Sequence, residues 1–194
     1  MNFLKRTYNW TLEKAQHKNA KWYLSLISFV ESSFFPIPPD ILLIPMALAS
    51  KANALFYAFI CTLFSVLGGI LGYAIGYFFY NSLGIYIVEF YHLENSFSIF
   101  ENYYKEFGIL IVLGAGITPF PYKFITIASG VFGLNIFLFI IISIIGRGSR
   151  FYLIAILLYF FGEKIKLFID NYFNILTIVF FILLVASVFI IRFI

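Results

Sequence analysis

The chain has 194 residues, of which 62% are hydrophobic, 22% aromatic and only 11% charged, with a mean hydropathy of +0.97 and a formal net charge of +4. Soluble domains carry roughly 25% charged residues, so this composition excludes an ordinary water-soluble enzyme or binding module. Long apolar runs cover most of the sequence and make a bilayer its expected solvent, in one compact multi-span domain.

Residues 1–21 hold Lys5, Arg6, Lys14, Lys18 and Lys21 with Leu4, Tyr8, Trp10, Leu12 and Ala15 interleaved. They predict an amphipathic helix lying on the membrane surface. They lack the continuous apolar core and small-residue cleavage site of a signal peptide. Their cations place this end on the cytoplasmic side.

Residues 22–35 and 39–50 form two short apolar pieces on either side of Pro36-Ile37-Pro38-Pro39, with Glu31 in the first, Asp40 opening the second and Pro45 within it. Proline removes a backbone donor and breaks a helix. Each piece falls short of the ~20 residues that a span needs. Two readings compete, a broken span that crosses or a re-entrant hairpin. Residues 54–80 make a full span, with Gly68, Gly72 and Gly76 on one face for close helix packing, within the chain or between chains. Residues 81–107 read as a polar break carrying Glu89, Glu94, Glu101 and Glu106 against Lys105. Two further short apolar pieces, 108–118 and 124–133, flank Thr118-Pro119-Phe120-Pro121-Tyr122-Lys123. Residues 134–161 make a second long span, with Arg147 and Arg150 inside it, and 172–191 a third.

Lys and Arg are in excess on cytoplasmic loops. If both broken segments are re-entrant, the N-terminal cations, Lys51 and Lys164/Lys166 share the cytoplasmic side, and the acidic 81–107 segment lies outside. A single crossing by 22–50 would reverse Lys51 and the acidic segment, so charge favours the re-entrant reading. The two broken segments also correspond. Pro36-Ile37-Pro38 matches Pro119-Phe120-Pro121, which sets Asp40 opposite Lys123 and Ala47 opposite Gly130. Paired interrupted segments in inverted orientation point to a midplane site, with Asp40 and Lys123 expected to pair.

The ionisable residues inside apolar segments are Glu31, Asp40, Lys123, Arg147 and Arg150. Such charges are costly and should find one another. The plain reading is an ion-pair network that holds hairpins to spans. The functional reading is a site, in which arginine forks suit a phosphate and carboxylates exchange protons. His17 and His92 fall in interfacial segments, as surface residues. The single Cys61 allows no intramolecular disulfide, and no Cys/His metal spacing occurs. No nucleophile–base set and no cofactor motif stand near the charges, so no enzyme activity, catalytic residue, metal or cofactor is expected, and no nucleic-acid partner.

Glu31, then Phe35-Pro36-Ile37-Pro38-Pro39-Asp40, then Ile44-Pro45, resembles the first signature of the DedA family, also called the SNARE-associated or VTT domain. The stretch from Gly116 to Arg150 resembles its second, and the likeness covers about residues 25–160. Many members carry an arginine before and after the proline of the second segment, where this chain has Thr118 and Lys123, as in a smaller branch of the family. The resemblance implies an all-α polytopic fold of two inverted re-entrant hairpins (about 22–50 and 108–133) among long transmembrane helices, within a domain over 22–161. It implies movement of a phosphate-bearing lipid between leaflets of a bacterial inner membrane, with protons as coupling ion. The expected site is Glu31, Asp40, Lys123, Arg147 and Arg150, with Pro36, Pro38, Pro39, Pro119 and Pro121 at the hairpin tips. The alternative is a proton- or cation-coupled transporter of a small solute. Packing of the Gly68/Gly72/Gly76 face between chains would give a homo-oligomer.

Overall fold

The structure, a computed structural model, describes residues 19–34, 38–92, 94–118, 120–162 and 164. These residues are almost wholly helical, with no strand among them. The amphipathic segment expected over 1–21 lies outside them except for its last three positions. The span expected over 172–191 lies outside them altogether, as do the tip residues Pro36 and Pro119.

Helix α1 runs Ala20–Ser33. Its serines are accommodated in an apolar helix because Ser25, Ser28 and Ser33 each donate back to the carbonyl four residues earlier, at 2.7–2.9 Å. The chain leaves the helix at Phe34, ahead of the proline cluster. Helix α2, Asp40–Ala49, starts directly after Pro39, whose φ of −65° suits a helix start. Pro45 sits inside α2 and leaves the Ile41 carbonyl without its intrahelical donor. A 3-10 turn over Lys51–Asn53 leads into α3, Ala54–Phe79.

Past Phe79 the helix widens through a π-turn at Tyr80–Gly84 and continues as α4, Ile85–Phe90. His92 reverses the chain at φ 53°, and α5 runs Glu94–Ile117. The polar break expected over 81–107 is therefore largely helix. Its acids are carried on an outer face, where Glu101 and Lys105 pair at 2.6 Å with i,i+4 spacing. Its inner face stacks Phe97 on Tyr80 and brings Tyr104 against Phe132, with ring centroids 4.7 and 5.2 Å apart. The arm expected to begin at 108 is the second half of this longer helix.

Helix α6, Tyr122–Val131, has ten residues, like α2. Gly133, at φ 65°, makes the turn that follows. Asn135 then caps α7, Ile136–Gly162, through its side-chain oxygen, which accepts the amides of Phe137 and Leu138 at 2.9 and 3.2 Å. The stretches Lys51–Phe79 and Ile136–Gly162 are, among the described residues, long and apolar enough to cross a membrane.

Helix α3 packs against both α1 and α6. A Cβ on Gly68 would land on the Phe29 carbonyl, and one on Gly76 on the Ile127 carbonyl. The glycine face is thus used within the chain, and one helix from each broken segment lies on it. Ser33 donates to the Gly68 carbonyl at 3.0 Å, and Thr126 of α6 donates to the Ser32 carbonyl of α1 at 3.0 Å. On the other side, Gly116 of α5 meets Gly146 of α7. One core joins Leu24, Leu43, Met46, Cys61 and Phe151, from α1, α2, α3 and α7. A second joins Val112, Tyr122 and Phe139, from α5, α6 and α7. The charged residues lie between them.

Candidate functional site

Arg147 is the largest fully buried side chain among the described residues. A guanidinium without water needs an anion and further acceptors. Its Nη2 donates to Glu31 Oε2 at 2.5 Å and its Nε to Ser65 Oγ at 2.6 Å. Ser32 Oγ donates to the same Glu31 oxygen at 3.0 Å and lies 2.6 Å from Ser65 Oγ. With Ser32's proton on Glu31 and Ser65's oxygen taken by Arg147, Ser65 must donate to Ser32. Two donor paths thus leave Arg147 and converge on Glu31, one direct and one through Ser65 and Ser32, and the four side chains form a closed network. The guanidinium also lies against the rings of Tyr122 and Phe151, 5.0 and 4.7 Å from their centroids. Tyr122 is in turn fixed by Ser143, 2.5 Å from its hydroxyl.

One turn further along α7, Arg150 pairs with Asp40 through Nη2 and donates through Nη1 to the Thr118 carbonyl at 3.1 Å. The two ion pairs differ in setting. Side-chain exposure is 0% and 11% for Arg147 and Glu31, against 16% and 18% for Arg150 and Asp40.

A cavity of about 540 Å³ lies between the two breaks. Its charged lining is Glu31, Asp40, Lys123 and Arg150, and the rest of the wall is prolines 38, 39 and 121 with Ile41, Ile44 and Phe120. Four of the five candidate charges therefore share one cavity, together with three of the tip prolines. Arg147 stands behind it and does not line it. The expected pairing of Asp40 with Lys123 is not made. Asp40 goes to Arg150, whose longer planar fork reaches Asp40 and Thr118 together. The described residues give Lys123 no salt bridge, and its ammonium rests over the Phe124 ring, 5.2 Å from the centroid. Summed over the five groups, three cations against two anions leave one positive charge in excess.

Sequence reasoning did not single out Ser32, Ser65, Tyr122 or Phe151. Ser65 carried a usable signal, because it stands three and seven residues before Gly68 and Gly72 on the packing face of an otherwise apolar span. Among the described residues, no group of three or more His, Cys, Asp or Glu side chains comes together that would hold a metal ion.

Fold and site define an all-helical protein with a charged cavity between two interrupted helical segments. The chain is 39% identical over 157 residues to an uncharacterized protein of Haemophilus influenzae, covering 81% of each chain. It is 35% identical over 160 residues to a Histophilus somni protein described as a homolog of an uncharacterized protein, covering 81% of this chain and 82% of that one. The chain belongs to the family of these proteins. No family model matches it, and no solved structure does.

Proposed function

We propose that this protein is a multi-pass bacterial membrane protein of the DedA type that moves a phosphate-bearing lipid between leaflets. The observation that carries this reading is the cavity between the two breaks, where Lys123 and Arg150 face an otherwise apolar wall beside Glu31 and Asp40. Its volume falls in the range of small-molecule sites, and two cations suit a phosphate. The outward faces agree with a lipid solvent. Leu63, Leu67, Leu71 and Ile75 form an exposed apolar stripe on α3, and Phe137, Ile141 and Leu153 are exposed on α7. Contiguous apolar surface of this kind is rare on soluble monomers.

In this reading α1/α2 enter from the cytoplasm and the end of α5 with α6 from outside, as inverted re-entrant hairpins in the inner membrane. Irregular backbone at membrane depth is tolerated where it lines a cavity, and both breaks do so here. Lys123 and Arg150 hold the phosphate, Asp40 and Glu31 supply countercharge or take protons, and Arg147 anchors Glu31. The test is leaflet exchange of a labelled phosphate-bearing lipid in liposomes carrying the purified protein. Exchange should fall in Arg150→Gln and Lys123→Gln proteins. Exchange equal to wild type in both would sink the assignment, and proton-driven flux of a soluble substrate with no lipid exchange would favour the small-solute transporter.

A further inference from the structure

The cavity holds two cations in different states. Arg150 is occupied by Asp40 and the Thr118 carbonyl, whereas Lys123 has no carboxylate among the described residues. Arg147, the strongest-held cation, uses two of its three nitrogens on Glu31 and Ser65 and lies outside the cavity lining. An anion entering the cavity therefore meets Lys123 with no ion pair among the described residues and Arg150 taken. Asp40 also carries a spare acceptor, since its Oδ1 is buried without a partner among the described residues, and Arg147 Nη1 is likewise buried and without a partner among them.

We propose that Asp40 is a built-in competitor for the anion site, its carboxylate occupying Arg150 in the empty state so that an incoming phosphate group must displace it. This rests on the phosphate reading given above and adds its regulation. Lys123 makes first contact, and Arg150 exchanges Asp40 for a phosphate oxygen, which releases the Asp40 carboxylate. The same carboxylate then reclaims Arg150 and expels the ligand. Asp40 is thus a release device. Removing its charge should tighten binding while slowing exchange, the opposite of what loss of a ligand contact would do to binding.

The experiment measures binding of short-chain phosphatidate and of inorganic phosphate to the purified full chain in detergent, for wild type, Asp40→Asn, Asp40→Ser, Lys123→Gln and Arg150→Gln proteins that elute as single species. A partly exposed ion pair relieved from competition should give about tenfold tighter binding in the two neutral Asp40 variants. Tightening with either probe supports the proposal, and phosphatidate binding far above inorganic phosphate identifies a lipid head group rather than the free ion. Neutral Asp40 variants that bind no tighter than wild type, while Lys123→Gln and Arg150→Gln bind more weakly, overturn the competition alone. No binding of either probe by any of the proteins overturns it together with the phosphate reading. A second measurement keeps Asp40 in place. The sequence has two aspartates, Asp40 and Asp170, so an isotope label in the aspartate carboxyl of an Asp170→Asn protein reports Asp40 alone by infrared spectroscopy. Phosphatidate should shift that carboxylate band, and an unmoved band with ligand bound overturns the exchange.

Discussion

Arg150 and Asp40, 110 positions apart, form an ion pair at the junction of the two breaks, and the other amino group of Arg150 holds the carbonyl of Thr118. One side chain of α7 thereby ties the start of α2 to the end of α5. Arg147, one turn earlier, makes the corresponding tie to α1 and α3, but wholly out of contact with solvent. This difference in burial separates what the two arginines do for stability.

Arg147→Gln should destabilise the protein far more than Arg150→Gln. Removing one partner of a buried pair leaves the other charge uncompensated, at a cost of about 3 to 5 kcal/mol, whereas a partly exposed pair is worth about 1 kcal/mol or less. Thermal unfolding in detergent measures both. The double variant Arg147→Gln/Glu31→Gln should recover much of the loss. Equal midpoints for the two single arginine variants would contradict the burial assignment.

Ser65→Ala should also destabilise, although it removes a single oxygen. It leaves Arg147 Nε buried without an acceptor and cuts the path through Ser65 and Ser32 to Glu31, which costs about 1 to 3 kcal/mol. Ser149→Ala on the exposed side of α7, where the hydroxyl bonds only the Gly146 carbonyl, should leave the midpoint where it is. A Ser65→Ala protein as stable as Ser149→Ala would argue against the network.

Gly68→Ala and Gly76→Ala should each lower stability, because the new methyl group would overlap a backbone carbonyl that cannot yield as a side chain can. Overpacking of this kind costs about 1 to 3 kcal/mol. Gly114→Ala meets nothing within 4 Å, and should be neutral or slightly stabilising, since alanine is the better helix former. Folded yield and unfolding midpoint of the three variants settle the ranking.

Cysteine labelling tests the proposed topology. In a Cys61→Ala background, Lys21→Cys and Lys51→Cys should react with an impermeant thiol reagent from the cytoplasmic side, and Glu94→Cys from the other. Reaction of Lys21→Cys and Lys51→Cys from opposite sides would mean that the first broken segment crosses, and would remove the re-entrant reading.

The long apolar helices were legible because composition alone specifies them, and their ends fell within two residues of Ala54–Phe79 and Ile136–Gly162. The proline clusters marked both interruptions for the same local reason. The stretch 81–107 was misjudged because its acids were weighed as a loop signal. The Glu101/Lys105 spacing and the aromatic positions 97 and 104, which form one inner face of α5, carried a helical period that charge counting ignores. That the intramembrane-type charges should meet followed from their cost, but the choice of partners did not. The offset between the proline motifs suggested Asp40 with Lys123. The pairing is decided instead by α7, which lies across both breaks and presents its two arginines one turn apart, a juxtaposition set by packing at Gly116 and Gly146 rather than by any local pattern.

The Thr126 hydroxyl of α6 shares its proton between the carbonyl of Ser32, the residue next to Glu31, at 3.0 Å and that of Lys123 in its own helix at 2.8 Å. The two interrupted segments are therefore geared to each other through a backbone atom, with α3 as the common axle. A rotation of α6 large enough to open its own side must either break that bond or carry the end of α1 with it. A displacement of either interrupted segment would thus be felt at the other, so the two would shift together and not independently.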